Sequence, residues 1–127
     1  MQTLYYVPFF GILFALLSIM VSAKRCKEKS FGVLTATYSE SLQKAIRVHS
    51  NAAEYIPISI LVLFLGELAG AHVLYLHVCY IALFVSRVLV PIGIMSDKHS
   101  LKGAGFGINI FILILASIYD LFLAFMA

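Results

Sequence analysis

Charge is scarce in this sequence. Asp, Glu, Lys and Arg make up 12% of its 127 residues, about half the roughly 25% of a soluble domain. Tryptophan is absent, and there are three prolines and two cysteines. So little charge excludes an ordinary solvated surface, a disordered chain and a basic nucleic-acid-binding face, so no nucleic acid is expected as a partner. Cys26 and Cys79 stand far apart with no ligand spacing around them. Neither a disulfide framework nor a zinc site is expected, and both read as free thiols. What fills the chain is apolar, with 62% hydrophobic residues and a mean hydropathy of +1.01. These residues lie in long blocks rather than amphipathic stripes, which makes the bilayer the expected solvent.

Residues 1–23 carry no charge, and about 20 apolar residues span a bilayer as a helix. Basic residues follow this block instead of preceding it, so it reads as a retained span over residues 4–23 and not as a signal peptide. Residues 24–40 are polar and basic and read as a loop. Ser39-Glu40-Ser41-Leu42-Gln43 carries cap chemistry for a second helix over residues 41–69. Inside it Pro57 removes one backbone hydrogen bond and is expected to kink the helix. A tight turn over residues 66–72 leads to a third span over 72–94, broken late by Pro91 and Gly93. After a polar loop over 95–100, a fourth span covers 102–125. The expected fold is all-α: a transmembrane four-helix bundle in one domain over residues 1–127.

The basic residues orient it. Lys24, Arg25, Lys27 and Lys29 fall in the first loop, with Lys44 and Arg47 close by, and Lys98 and Lys102 flank the third. Short loops rich in Lys and Arg stay in the cytoplasm, so both termini are expected outside and any site at the start of the second helix should face the cytoplasm. Tyr5, Tyr6, Phe9 and Phe10 fit an interfacial aromatic belt at the opposite end. Glu67 reads as an interfacial acid at a helix end, and Asp120 as a residue of the outer headgroup level.

The informative string is AIRVHSNAAEYIP, residues 45–57. At about 100° per residue, Arg47, Asn51 and Glu54 share one helix face, Ser50 and Tyr55 flank it, and His49 points away. The helix rises about 10 Å from Arg47 to Glu54. With Arg47 at the interface, Glu54 lies in the hydrocarbon zone, where an ionisable group should face protein or a wet cavity. Arg87 late in the third span, Lys102 opening the fourth, and Lys24 and Arg25 after the first lie at the same end. Together they suit a small anion that also carries an amine. The spacing fits equally a structural pairing of Arg47 or Arg87 with Glu54. His72 and His77, five residues apart, do not share a helix face, so no metal site is expected. The absence of an acid from the first span argues against a small four-span drug exporter.

The pattern Arg47-x-x-x-Asn51-x-x-Glu54-Tyr55-x-Pro57 at the start of a second span resembles the signature of the MAPEG family, the membrane-associated proteins in eicosanoid and glutathione metabolism. The chain length, four spans, basic first loop, Arg87 and the Leu101-Lys102 opening of the fourth span fit the same family. The string AIRVHSNAAEYIPI is most similar to its short bacterial inner-membrane branch. The resemblance implies a left-handed four-helix bundle assembled as a homotrimer. Glutathione would bind bent between adjacent subunits near the cytosolic side, and a lipophilic co-substrate would come from the bilayer. It implies glutathione contacts from Arg47, Asn51, Glu54, Tyr55, Arg87, Lys102 and Lys24. Arg87 and Arg25 are the candidates to stabilise the thiolate, because a nearby guanidinium favours the anion. The sequence departs from catalytic members at Ser50, where many have a basic residue. It departs again at Val90 and Ile94, where many have a Tyr or His and a Tyr, and Pro91 lies between these two. None of the three can supply the missing cation or phenol. Two classes stay open: a glutathione transferase or peroxidase acting on lipophilic electrophiles, and a non-catalytic trimeric membrane protein with a vestigial glutathione site.

Overall fold

The computed structural model describes residues 1–28 and 38–127. These form four helices, α1 (Thr3–Glu28), α2 (Glu40–Leu68), α3 (Val73–Met95) and α4 (His99–Met126). Each is long and apolar enough to cross a membrane. α1 runs past the expected limit at residue 23, so that Lys24, Arg25 and Lys27 are helical. Cations in a last turn complement the helix dipole, and their long stems let the charged heads leave the hydrocarbon. Charge therefore ends the apolar block without ending the helix. The remainder of the expected first loop, residues 29–37, lies outside the described residues.

A further expectation needs correction: α3 is not broken by Pro91 and Gly93 but continues to Met95. α2 likewise contains Pro57 within one helix. A proline frees one carbonyl four residues back, which membrane helices accommodate through neighbouring groups and small local adjustments. The polar loop before α4 shrinks to residues 96–98. Asp97 turns the chain there with a left-handed φ of 55°, a conformation Asp tolerates better than most residues.

The ends of α2 follow local chemistry. Ser39 Oγ accepts the Leu42 N–H at 3.1 Å as an N-cap. At the other end Gly70 takes φ 91°. Its N–H reaches the Glu67 carbonyl at 3.1 Å, while the Ala71 N–H reaches that of Gly66 at 2.9 Å. This is a Schellman ending, which needs a left-handed residue at the glycine position.

α2 sits centrally, packed against α1, α3 and α4; α1 meets α3 mainly through large side chains and, among the described residues, its backbone does not approach α4. The closest pair is α3 with α4. A Cβ on Gly93 would lie 2.8 Å from Lys102 Cα, and one on Gly105 would lie 3.0 Å from the Ser86 carbonyl oxygen. Phe10, Ile56, Leu63, Leu83 and Val90 belong to the core, whereas Leu4, Ile19, Phe111 and Phe125 face outward, as a bilayer solvent permits. The expected aromatic belt splits by helix face. Tyr5 and Phe9 are exposed, but Phe10 is buried and Tyr6 stacks on Tyr80 at 5.0 Å.

At the same end, Glu67 holds α1 in place. Its carboxylate accepts the Thr3 N–H at 2.9 Å, together with the Gln2 N–H and the Thr3 hydroxyl. The Thr3 hydroxyl oxygen in turn lies 2.8 Å from the Tyr80 hydroxyl. An acid at the start of a helix meets free N–H groups and the positive end of the dipole, so Glu67 is more than an interfacial charge. Asp120 lies half-buried against Gly66.

Candidate functional site

Arg87 is the centre of the candidate site. It stands on the face of α3 turned to α2 and is 2% exposed. Nη1 donates to Asn51 Oδ1 at 2.8 Å and Nη2 to Ser86 Oγ at 3.1 Å. The guanidinium carbon lies 5.7 Å from the centre of the Tyr55 ring. Ser86 passes its own proton to the Gly105 carbonyl at 2.6 Å. Every one of these partners is neutral, and among the described residues no carboxylate pairs with Arg87. A buried cation without a counter-charge is costly, and a guanidinium is the side chain best shaped to take an anion by paired hydrogen bonds.

On α2 the expected face divides. Asn51 is half-buried and reaches inward to Arg87, while Arg47 and Glu54 are exposed. Tyr55 and Glu54 lie on opposite sides of Asn51, at about +40° and −60° around the helix. Asn51 and Tyr55 therefore turn to α3 and Glu54 turns away. Glu54, expected to face protein or a wet cavity, is not covered by its own chain. Neither structural pairing of Glu54, with Arg47 or with Arg87, occurs among the described residues.

The other basic candidates lie further out. Lys24 Nζ donates to Ser41 Oγ at 2.5 Å. Arg25 donates to the Tyr38 hydroxyl at 3.5 Å and lies over the Tyr38 ring at 5.4 Å. Both tie the end of α1 to the start of α2. Lys102 is exposed in the first turn of α4, where its backbone lies against Gly93. The fold thus joins Arg87, Asn51 and Tyr55 directly, leaves Arg47, Glu54 and Lys102 on the surface, and engages Lys24 and Arg25 with the approach to α2. Ser50 is exposed, whereas Val90 and Ile94 are 2% and 6% exposed and belong to the core.

Several polar residues escaped the sequence reading. Asn109 Nδ2 donates to Ser59 Oγ at 3.0 Å in the bundle interior. Asn51, Tyr55 and Ser59 recur every four residues, so the polar stripe could have been followed one turn deeper; Ser86 and Asn109 carry no such local signal. Lys44 links the start of α2 to the loop after α3, at 2.6 Å from Asp97 and 3.3 Å from Glu40. The Lys44 hydrogen bond holds the Asp97 carboxyl below the usual carboxylate range. The histidines act separately: His72 Nδ1 accepts the Leu74 N–H at 3.2 Å as a cap, His77 Nδ1 lies 2.6 Å from the Tyr6 hydroxyl, and His49 stacks on Phe14 at 4.9 Å. An apolar groove of about 210 Å³ opens between α1 and α3, lined by Tyr6, Phe9, Phe10, Ile81, Phe84 and Val85. A second, of about 270 Å³, lies between α1 and α2 beside Pro57.

Fold and site together define a four-helix membrane protein with a buried cation flanked by a polar helix face. The model of the MAPEG family matches residues 3–122, and the chain belongs to that family. It is also similar to the proteins named Inner membrane protein YecN in two strains of Escherichia coli. Each is 46% identical over 48 residues, which cover 38% of this chain and 37% of theirs. The alignment therefore spans little more than a third of these relatives. No solved structure matches the chain.

Proposed function

We propose that this protein is an inner-membrane, glutathione-binding member of the MAPEG family that works as a homotrimer, with both termini outside and its site facing the cytoplasm. The observation that carries the reading is the buried Arg87 guanidinium, held by Asn51 and Tyr55 with no carboxylate beside it among the described residues. Glutathione brings two carboxylates, an ammonium and a thiol. Arg87 takes an anionic group of the ligand, Arg47, Lys102 and Lys24 take others, and Glu54 takes the ammonium. Because Arg47 and Glu54 are exposed on one chain, a neighbouring subunit must complete their surroundings, and an unpaired acid at that depth favours such a neighbour over lipid. YecN is named as an inner-membrane protein, which supports the same location here.

The reaction is glutathione transfer to, or peroxide reduction by glutathione on, lipophilic molecules that enter sideways through apolar grooves. Arg87, with Arg25 in support, favours the thiolate. A second reading, a glutathione-binding protein without turnover, is favoured by one observation: Val90 and Ile94 are packed into the core and offer no proton donor. A lost hydrogen bond to a charged group costs about 1.5–3 kcal/mol, and each 1.36 kcal/mol of barrier is about tenfold in rate. A transferase lacking one such donor is slower by roughly 10- to 150-fold.

Calorimetric titration of the purified protein with glutathione, beside turnover of an aryl halide and mass measurement in mild detergent, tests the reading. Binding to a three-subunit particle with slow turnover is expected. No binding at millimolar glutathione would overturn it, and binding by a clean monomer would remove the intersubunit site. Cys26, exposed in the last turn of α1, should react with an impermeant thiol reagent only from the cytoplasmic side.

A further inference from the structure

Among the described residues, four buried side-chain atoms have no hydrogen-bond partner: Tyr75 Oη, Asp120 Oδ1, Arg87 Nε and Asn109 Oδ1. Arg87 Nε carries a proton that it donates to none of the described residues, and Asn109 Oδ1 accepts from none. Both residues are deeply buried, at 2% and 0% exposure. An unpaired buried donor or acceptor costs about 1–3 kcal/mol, and native interiors rarely leave one unmatched. With Nδ2 donating to Ser59, the unmatched end of the Asn109 amide is its acceptor.

One donor and one acceptor lie on the same seam. Arg87 Nη2 contacts Ser86 Oγ, and Ser86 contacts the Gly105 carbonyl. In the α-helical register the Asn109 N–H is the donor to that same carbonyl. Side chains lean toward the N-terminus of their helix, so the Asn109 amide leans back over the turn that Ser86 and Arg87 reach. A water needs two to four polar partners, and an unmatched donor and an unmatched acceptor on one seam can supply the first two.

We propose that the subunit interior holds an ordered water between Arg87 Nε and Asn109 Oδ1, and that Asn109, through it, is a positioning residue for the Arg87 guanidinium. The water accepts from Nε and donates to Oδ1. With Ser86 on Nη2 and Asn51 on Nη1, the guanidinium is held at all three nitrogens. The site lies within one chain; Arg87 also serves the glutathione contacts proposed above, whereas Asn109 takes no part in them. The positioning role rests on that functional reading; the water does not.

The chain has three arginines, Arg25, Arg47 and Arg87, so nitrogen-15 spectra of the full-length protein in detergent contain three Nε–H signals, assigned with Arg25→Lys and Arg47→Lys. A slowly exchanging Arg87 Nε–H with a cross-relaxation peak to water is expected without glutathione. Asn109→Leu should abolish that peak and shift the signal, and Lys44→Ala should leave both unchanged. A persistent Arg87 Nε–H without a water peak in the unsubstituted protein, or one that Asn109→Leu leaves intact, would overturn the water site even if the variant proved poorly folded in other respects. Glutathione affinity should fall about tenfold in Asn109→Leu. An unchanged affinity in a variant whose Nε signal has moved would overturn the positioning role. Failure of the unsubstituted protein to bind glutathione would overturn the functional reading and with it the positioning role, while the spectrum still decides the water.

Discussion

The Arg87 guanidinium donates to the Asn51 side-chain oxygen at 2.8 Å, joining the end of α3 to the beginning of α2 across the most polar part of the molecule. It is a charged donor on a neutral acceptor, worth about 1.5–3 kcal/mol when buried. Asn51→Leu removes the acceptor and leaves Nη1 unmatched. The variant should unfold at lower temperature in detergent and bind glutathione at least tenfold more weakly. An unshifted melting curve would show that Arg87 finds another acceptor.

Glu54 and Lys24 separate two kinds of surface charge. Glu54 is exposed with no partner among the described residues, so Glu54→Ala should leave the subunit fold and its helix content intact. Its effect should fall on glutathione affinity and on the mass of the assembled particle. Lys24→Ala, which loses one contact to Ser41, should cost less than about 1 kcal/mol of stability, leave the particle mass unchanged and weaken glutathione binding less than Glu54→Ala does. Circular dichroism beside sedimentation reads both outcomes.

Gly93 and Gly11 make a packing pair. Gly93→Ala puts a Cβ against the Lys102 backbone, which cannot move without parting α3 from α4, whereas a Cβ on Gly11 meets nothing within 4 Å. Overpacking typically costs about 1–3 kcal/mol, while a helical Gly→Ala change stabilises by about 0.5–1 kcal/mol. Thermal unfolding should therefore shift in opposite directions for the two variants. The same tightness around Gly105 and Val90 means that Val90→Tyr should fail by misfolding before any gain in turnover is seen.

Glu67→Gln keeps the size of the side chain and removes its charge. The amide still accepts from Thr3, but the charge-assisted part is lost, and roughly 1 kcal/mol of stability should go with it. Faster deuterium exchange in the first turn of α1, with α3 and α4 unchanged, is the expected sign. Uniformly faster exchange would show that Glu67 supports the whole bundle.

Asp97 is the titrating group whose sign is clear. Its folded-state pKa is depressed by Lys44, so the stability it contributes is fully present above the unfolded value, near pH 4. That contribution is lost as pH falls through the lower folded value. Asp97 should add no pH dependence between pH 5 and 8. Asp97→Asn should melt slightly lower at neutral pH and converge with the unsubstituted protein in acid, where both lack the charge; a gap that persists at the lowest pH would contradict the assignment.

Composition and order along the chain were enough for four apolar blocks, for their number and type as helices, for the Ser39 cap and for the family signature around Asn51. Each is a local property. A bilayer asks only for about 20 apolar residues in succession, and a cap or a three-to-four-residue spacing is complete within one or two turns. The helix ends were less legible, because Lys24–Lys27 and Pro91 look like breaks in a sequence, yet a membrane helix carries terminal cations and internal prolines without ending.

Which partner each polar residue takes was settled only in three dimensions. Nothing local says that Arg87 turns to Asn51 and Tyr55 rather than to Glu54, that Glu67 closes the start of α1, or that Ser59 meets Asn109 fifty residues away. In a chain so poor in charge, each pairing depends on the rotation of one helix about its axis against another. That rotation is set by close contacts such as Gly93 on Lys102 and Gly105 on Ser86, which join residues far apart in sequence.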